Sequence, residues 1–518
     1  MPGWTRKKPN KNFSSETIMN EKYAKLNELI AEVQNLNHCA SLIGWDQQTC
    51  MPPGAAEERG YMMATLARVT HEKFVSEEIG GLLADLKKEL PQLDQDSEEY
   101  RIINVTAREY DKETRVPGEF VAEFAQVTAL AQQAWMEARG KSDFSIFQPH
   151  LEKILDMARR YIGFFPPSEH PYDTLLDNFE PGMKTTEVKA IFDTLRPQQV
   201  ELVKAIAGRP QVDDSFLHVD YDEKTMLAFS EEVAKAFGYD FTRGRQDKSA
   251  HPFTQSMGPD DVRITTRFDP KHPFGLLFGT MHEVGHALYE QGVGHTWSRT
   301  MIENAASLAI HESQSRMWEN LVGRSLPFWE HFYPRAQELF PSQLKNVTLE
   351  RFYKGINKVQ PSFIRVEADE ATYNLHIMLR LELEIAMIEG KVAAKDLPDL
   401  WNTKMKEYLG VTPPNDAKGV LQDIHWSGGM LGYFSTYALG NLISVQLWER
   451  FLEYDPELED QIRKGDFSAL LSWLRVKIHQ YGRKYEPQEL VQRVTKSKID
   501  STPYVRYLNR KYRAIYGL

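Results

Sequence analysis

The chain has 518 residues, of which 42% are hydrophobic, so it has enough material for a large core. Its formal net charge of -11 argues against nucleic acid or an anionic membrane as the main partner. No apolar run is long enough for a transmembrane helix, which excludes a helical membrane protein.

The first residues and the cysteines bear on the cellular compartment. Residues 1–14 are rich in Lys, Asn and Pro and lack an apolar core, so they predict a disordered basic arm and not a secretory signal. A transit peptide at this end stays open as an alternative. Only Cys39 and Cys50 occur, which favours a reducing cytoplasm and excludes a disulfide framework.

From residue 15 onward the spacing of apolar residues is mostly that of helices. The pattern predicts helices over 55–69, 76–86, 97–114, 117–139, 145–161, 185–207, 223–237, 369–390, 394–409 and 442–455, besides the two around the site described below. The sequence contains no internal repeat, low-complexity tract or long linker. Residues 15–518 are therefore predicted to form a single, mainly α-helical domain.

Between residues 239 and 268 the period changes from that of a helix to that of a strand. Asp261, Arg263 and Thr265 alternate with Val262 and Ile264, so the two sets lie on opposite faces of a strand. A small sheet is therefore expected just before the most informative helix. On this pattern alone, Arg263 is equally well explained as an exposed charge on an edge strand.

That helix is predicted over 274–291 and contains the sequence His282-Glu283-x-x-His286. Residues four apart on a helix share a face, so both imidazoles can bind one ion while Glu283 stays beside it without ligating it. The apolar residues of the opposite side are Leu277, Met281, Val284 and Leu288. The spacing predicts a metal site that faces away from the core, and the alternative is a buried helix that carries two histidines by chance.

A catalytic metal site of this type needs a third protein ligand. Position 292 is Gly, so a third His six residues after His286 is excluded. Glu312 is the preferred candidate because it follows an apolar run, where a carboxylate should be hydrogen-bonded or metal-bound. Glu303 and Glu319 are the alternatives, each with an ordinary role as a solvated helix charge.

Five further motifs accompany this helix between residues 251 and 426. They are His251-Pro252-Phe253, Asp261-x-Arg263-x-Thr265, His311-Glu312-Ser313-Gln314, Ile364-Arg365-x-x-Ala368-Asp369 and Gly419-x-x-Gln422-Asp423-x-His425-Trp426. Together, and in this order, the six motifs resemble the signatures of the carboxypeptidase Taq family of metallocarboxypeptidases. Trp45-Asp46 and Met51-Pro52 are similar to the N-terminal region of that family, so only the arm before residue 22 departs from it.

The resemblance implies a mainly α-helical fold with a deep groove. It also implies a homodimer that hydrolyses peptides with a free C-terminus. One ion per chain, zinc in the first place and cobalt as an alternative, would be bound by His282, His286 and Glu312.

The chemistry of peptide hydrolysis suggests roles for two further residues. A carboxylate must take the proton of the attacking water and pass it to the leaving amine, and Glu283 is placed for that role. A carboxypeptidase also needs a cation for the terminal carboxylate, and Arg365 is preferred because a guanidinium binds carboxylates bidentately. Asp369, one helical turn later, could orient Arg365. An ordinary ion pair within the helix is the alternative.

Four aromatic or basic side chains are secondary candidates. His251 and Arg263 are similar to family residues near the same end of the groove and are predicted to assist substrate binding, with a core histidine and a sheet-edge charge as alternatives. His425 and Tyr433 are predicted to donate hydrogen bonds to the developing oxyanion. Without the resemblance, Tyr433 and Tyr437 would be interpreted as core aromatics.

Four other functions compete with the carboxypeptidase. A dipeptidyl carboxypeptidase or an oligopeptidase would share the metal ligands and differ at the end of the groove. An aminopeptidase is disfavoured because the sequence offers no acidic cluster for a substrate ammonium. A binding scaffold with a structural metal is disfavoured by Glu283, since structural zinc sites close with four protein ligands and need no base.

Overall fold

Across residues 15–518, which the computed structural model of the chain describes, the protein forms 21 α-helices and one three-stranded sheet. This confirms the predicted mainly α-helical class, whereas the predicted basic arm over 1–14 lies outside the described residues. No helix within 15–518 combines the length and the apolar character needed to cross a membrane.

Four helices at the N-terminal end of this region form a layer with its own small core. They are α1 (Ser15–Thr49), α2 (Ala56–Phe74), α3 (Glu77–Leu86) and α4 (Glu98–Arg115). Leu26, Ile30 and Val33 of α1 pack with Ile79 and Leu83 of α3. The hydroxyls of Ser76 and Ser97 cap the first turns of α3 and α4, as expected for serine before an acidic first turn.

The remaining helices share one extensive hydrophobic core. Before the sheet come α5 (Gly118–Lys141), α6 (Phe144–Gly163), α7 (Asp173–Leu176), α8 (Thr185–Ala207) and α9 (Glu223–Phe237). After the sheet come α10 (Phe274–Glu290), α11 (Leu308–Arg316), α12 (Leu326–Leu339), α13 (Pro341–Leu344), α14 (Leu349–Ile356), α15 (Tyr373–Ile388), α16 (Leu397–Leu409), α17 (Ser435–Tyr454), α18 (Leu458–Arg463), α19 (Ser468–Lys477), α20 (Pro487–Thr495) and α21 (Thr502–Tyr516). This core unites α5–α21, and the single domain over 15–518 stays a prediction.

The sheet lies beside α10. Its strands are β1 (Gln246–Lys248), β2 (Thr254–Ser256) and β3 (Val262–Thr266), in the order β1-β3-β2. β3 pairs with β1 in parallel and with β2 antiparallel, with Gln255 opposite Arg263. Arg263 therefore lies on the central strand and is half-buried, so the alternative of an exposed edge charge is wrong.

Two glycines let the helices around the site approach each other to backbone contact. A Cβ at Gly285 of α10 would lie 2.6 Å from the carbonyl oxygen of Gln314 in α11. A Cβ at Gly440 of α17 would lie 2.6 Å from the Cβ of Glu312. Any larger residue at either position would push α11 away, so these glycines set how closely Glu312 faces the histidines of α10.

The segment that carries Arg365 differs from the prediction. A helix was expected from residue 369, but α15 begins at Tyr373, and Arg365–Glu367 is a single 3-10 turn. The cause is Asp369, whose Oδ1 accepts the backbone N–H groups of Ala371 and Thr372 while its Oδ2 accepts that of Gln360. A carboxylate bound to the backbone in this way favours a turn over a continuous helix.

Candidate active site

Within residues 15–518, His282, His286 and Glu312 form the one group of His, Cys, Asp and Glu residues that could hold a metal ion. Oε2 of Glu312 lies 3.7 Å from Nε2 of His282 and 3.6 Å from Nε2 of His286. A tetrahedral ion with bonds of ~2.0–2.1 Å separates its ligand atoms by ~3.4 Å, so a small contraction would complete the site. The donor set of two imidazoles and one carboxylate is that of a catalytic centre, which leaves a position open.

Arg316 holds the carboxylate of Glu312 in place. Its Nε donates to Oε1 of Glu312 over 2.6 Å, while the hydroxyl of Ser315 donates to Oε2 over 3.1 Å. Arg316 lies one helical turn after Glu312, so the two side chains meet on one face of the helix. With Oε1 bound to Arg316, Oε2 is the oxygen that faces the histidines.

Glu319 orients the first histidine. Its Oε2 lies 3.0 Å from Nδ1 of His282 and accepts a hydrogen bond of 3.2 Å from Arg316. Burial opposes ionisation of this carboxyl, but the charge of Arg316 and the hydrogen bond from His282 hold the pKa of Glu319 well below its usual range. Glu319 is thus an anionic acceptor that keeps Nε2 of His282 free for a metal. The alternative role of Glu319 as a solvated helix charge is wrong.

A hydrogen-bond chain orients the second histidine. Nδ1 of His286 lies 2.6 Å from Nδ1 of His311, and Nε2 of His311 lies 2.8 Å from Oε1 of Glu290. Burial, with the neighbouring His311, lowers the pKa of His286 well below its usual value, so it is neutral. The chain is satisfied when His286 donates to His311 and His311 donates to Glu290, which again leaves the Nε2 lone pair of the histidine ligand free.

Glu283 is buried beside the candidate metal site and accepts hydrogen bonds from the sheet. The hydroxyl of Thr254 in β2 lies 2.7 Å from Oε2 of Glu283 and 2.9 Å from its carbonyl oxygen. Burial raises the pKa of the Glu283 carboxyl, which makes it a stronger base than an exposed glutamate. The sheet thereby fixes the rotamer of the predicted general base.

Arg365 is buried, and its partners differ from those predicted. Nε and Nη2 donate to Oδ1 of Asp423 over 3.1 and 2.8 Å, and Nη1 donates to the hydroxyl of Tyr373 over 2.9 Å. The prediction that Asp369 orients Arg365 is wrong, because the carboxylate of Asp369 is occupied by backbone N–H groups. Asp423 orients Arg365 instead.

Asp423 joins two arginines. Its Oδ2 accepts a hydrogen bond of 2.8 Å from Nε of Arg380, a fully buried residue of α15. Burial opposes ionisation of Asp423, but Arg380 and Arg365 hold its pKa well below the usual range. Two guanidinium groups against one carboxylate leave these three side chains with one unbalanced positive charge.

The hydrogen bonds of His251 and Arg263 go to residues other than Arg365, Arg380 and Asp423. Arg263 forms a bidentate pair with Asp261, both distances being 2.8 Å, and its guanidinium lies 4.5 Å from the ring centre of Trp45. His251 is exposed, and its carbonyl oxygen accepts a hydrogen bond of 2.6 Å from Ser249. The alternative of a core histidine is therefore wrong.

His425 and Tyr433 stack on each other, with ring centres 5.1 Å apart and planes at 23°. The hydroxyl of Tyr433 lies 2.9 Å from that of Tyr437, whose ring is 5.0 Å from the guanidinium of Arg365. Burial lowers the pKa of His425 to about 4, so this imidazole is neutral at physiological pH. The structure thus brings both residues together beside Arg365.

Several residues of the site were not identified as site residues from the sequence. Thr254, Arg316, Arg380 and Asp423 act on residues that the motifs do indicate. Asp423 stands within a motif, but its partner Arg365 lies 58 positions earlier in the chain. Helical spacing could have indicated the contacts of Arg316 with Glu312 and with Glu319.

The fold and the site together define a helical metallopeptidase. The sequence profile of the carboxypeptidase Taq (M32) metallopeptidase family matches residues 25–512. The chain belongs to this family and is a metal-dependent carboxypeptidase. This confirms the predicted class of enzyme.

Relatives and solved structures match this chain over 95–96% of its length. Thermostable carboxypeptidase 1 of Thermus thermophilus is 42% identical over 509 residues, which cover 96% of this chain and 99% of that protein. Carboxypeptidase 1 of Bacillus subtilis is 37% identical over 492 residues, which cover 95% and 98%. The crystal structure of the M32 carboxypeptidase from Deinococcus radiodurans R1 matches with a TM-score of 0.93 at 39% identity, covering 96% of this chain and 100% of that one.

Proposed function

We propose that this enzyme releases single amino acids from the C-terminus of peptides by means of water activated at one divalent ion. The observation that carries the proposal is a continuous series of side-chain contacts from the candidate metal site to a buried arginine. Arg316 binds Glu312 and lies 4.6 Å from the ring centre of Tyr373, whose hydroxyl accepts from Arg365. A continuous series of side-chain contacts thus links the proposed metal site to the proposed carboxylate anchor.

The donor set fits zinc best, with cobalt as the alternative. Two imidazole nitrogens and one carboxylate oxygen are ligands that both ions accept. When bound, such an ion polarises the scissile carbonyl and lowers the pKa of a water to ~7. The hydrogen bonds that His282 donates to Glu319 and His286 donates to His311 fix which ring nitrogens are available for the ion.

Glu283 is the proposed general base. Its carboxylate takes a proton from the attacking water and then passes it to the leaving amine. The raised pKa suits both halves of that transfer, because the group must first accept the proton and later release it. Thr254 holds one oxygen, so the second is available for the water.

Arg365 is the proposed anchor of the substrate carboxylate. Asp423 and Tyr373 use three of its five N–H groups, and one N–H on each Nη remains for an anion. The unbalanced positive charge of Arg365, Arg380 and Asp423 favours an anionic ligand there. His251 and Arg263 are proposed as secondary contacts along the groove.

His425 and Tyr433 are the proposed donors to the developing oxyanion. A neutral imidazole can donate from one nitrogen, and the Tyr433 hydroxyl can donate while it accepts from Tyr437. Each donor of this kind is worth ~2.7–4 kcal/mol of transition-state stabilisation in well-studied proteases.

Mass spectrometry of the products from one peptide tests this function. A free-acid peptide should give a ladder that loses one C-terminal residue at a time, and its C-terminally amidated form should be cleaved far more slowly. Loss of two residues at a time would favour a dipeptidyl carboxypeptidase. Internal cleavage of both peptides would favour an oligopeptidase and contradict the anchor.

We also propose that the enzyme is a homodimer in the cytoplasm. Both cysteines, Cys39 and Cys50, are exposed free thiols, which suits a reducing compartment. Helix α2 carries exposed apolar side chains that a second copy could cover, as argued in the Discussion.

A further inference from the structure

One buried carboxylate binds both ends of the segment from His425 to Tyr433, here called the 425–433 loop. Glu384 of α15 is fully buried. Its Oε1 accepts a hydrogen bond of 2.7 Å from the indole Nε1 of Trp426. Its Oε2 accepts one of 2.9 Å from the backbone N–H of Gly432 and one of 2.6 Å from the hydroxyl of Tyr172.

The two loop contacts stand directly next to the proposed oxyanion donors. Trp426 follows His425, and Gly432 precedes Tyr433. One carboxylate therefore holds both ends of the segment whose first and last residues must face the substrate. The stacking of His425 on Tyr433 over 5.1 Å depends on both ends staying where they are.

We propose that Glu384 is a positioning residue for the reaction, which sets the geometry of His425 and Tyr433 through the 425–433 loop. The proposal rests on the oxyanion role given to these two residues above. Glu384 does not touch the substrate in this scheme. Its contribution is to keep two hydrogen-bond donors at fixed positions, and donors displaced by an ångström lose much of their effect.

The burial of Glu384 argues that the site demands an acceptor there. A carboxylate removed from water is costly unless it is hydrogen-bonded, and apolar packing of the same volume would be less costly. Burial raises the pKa of Glu384 to about 7, opposed by the hydrogen bonds from Tyr172, Gly432 and Trp426 and by the charge of Arg380. Three donors converge on Glu384, so all three hydrogen bonds are made only while both of its carboxylate oxygens accept.

Glu384→Gln tests this role, because the amide is nearly isosteric but replaces one accepting oxygen by a donor. Measurements on the metal-loaded enzyme would cover kcat, KM, metal content and the unfolding midpoint. We expect kcat to fall about tenfold or more while KM and metal content stay close to wild type. Glu382→Gln is the matched control, since it removes a carboxylate from the same helix where Arg196 and Tyr408 are the partners, and its kcat should be unchanged.

A double-mutant cycle separates positioning from general stabilisation of the fold. In a Tyr433→Phe background, Glu384→Gln should reduce kcat at least threefold less than it does in the wild type, because one of the donors it positions is already absent. Equal losses in both backgrounds, or an unchanged kcat in Glu384→Gln, would overturn the proposal. If Glu384→Gln does not fold, Trp426→Phe breaks one of the two loop contacts and enters the same cycle.

The failure of the underlying function gives a different result. If Tyr433→Phe and His425→Ala both turn over normally, the oxyanion role is wrong and Glu384 has nothing to position. If either of them loses activity while Glu384→Gln keeps it, the oxyanion role stands and only the role of Glu384 is overturned.

Discussion

At the scale of single residues, the proposed mechanism separates metal binding from proton transfer. Glu283→Gln should keep the metal and the fold, because Glu283 is not in the ligand cluster, while kcat falls by a factor on the order of 10² or more. Elemental analysis beside steady-state kinetics checks this. Thr254→Val removes only the hydroxyl that holds Glu283 and should cost less. Near-normal turnover of Glu283→Gln would contradict the general-base assignment.

Removal of Glu312 should abolish metal binding, which Glu283→Gln should leave intact. Glu312→Ala opens the ligand shell, so bound metal and activity should disappear together. Glu319→Gln is the matched comparison, since it changes a residue that orients His282 and should weaken metal affinity by only about 10–100-fold. Tightly bound metal in Glu312→Ala would show that the third ligand is misassigned.

Arg365→Lys tests the shape of the anchor as well as its charge. Lysine keeps the charge but loses the planar fork, so kcat/KM for free-acid peptides should fall while metal content is unchanged. The preference for free-acid over amidated peptides should shrink with it. If amidation still matters fully in this variant, the anchor is Arg263 or His251, and the same measurement on Arg263→Lys would distinguish them.

At the scale of secondary-structure elements, α11 presents Glu312, and its first turn depends on a buried acid. Oε2 of Glu180 accepts the backbone N–H of Ala309 over 3.3 Å, and burial raises the pKa of this carboxyl to about 8, with Glu486 adding to the rise. The folded chain therefore holds a proton that the unfolded chain releases above its ordinary pKa near 4.5. The stability this proton gives is complete below that value and is lost as the pH rises through 8.

Glu180→Gln should flatten this dependence. In the wild type, the free energy of unfolding should fall between pH 5 and 8 by up to a few kcal/mol, and the neutral amide removes that contribution. Urea unfolding at several pH values, with metal saturating, gives the slope for both proteins. An identical slope would show that Glu180 is ionised in the folded state.

The sequence predicted the elements of the site better than their contacts. Helix α10 and the position of Glu312 followed from periodicity and from a carboxylate after an apolar run, both local signals. The partner of Arg365 could not be inferred, because the i, i+4 rule assumes a continuous helix, whereas Asp369 lies in a turn before α15 and binds backbone N–H groups. Thr254 and Glu384 bind residues 29 and 42–48 positions away, which only the packing of β2 and α15 determines.

At the scale of the whole molecule, helix α2 leaves most of its surface exposed. Phe74 is its only buried residue, and Tyr61, Met62 and Val69 are exposed by 62, 51 and 38%. Scattered exposed apolar residues are ordinary, but these three line one shallow hollow together with Leu66, and a contiguous apolar patch is typical of a contact surface.

The charges of α2 favour a second, antiparallel copy as the partner of that surface. Its first turn is acidic, with Glu57 and Glu58, and its last turn is basic, with His71 and Lys73. A two-fold axis across the helix would place each acidic end near the basic end of the other copy.

Met62→Glu should therefore convert the proposed homodimer into a monomer, because a carboxylate in the middle of the apolar patch is buried without a partner when two α2 helices meet. Size-exclusion chromatography with light scattering distinguishes one chain of 59.8 kDa from two. Tyr454→Glu is the matched control, since Tyr454 is an exposed aromatic residue at the end of α17 and its loss should leave the dimer intact. A wild-type protein that is monomeric at micromolar concentration, or a Met62→Glu variant that stays dimeric, would contradict an interface on α2. Activity that survives in the monomer would further show that each chain carries a complete site, as the contacts within one chain from Glu312 to Arg365 imply.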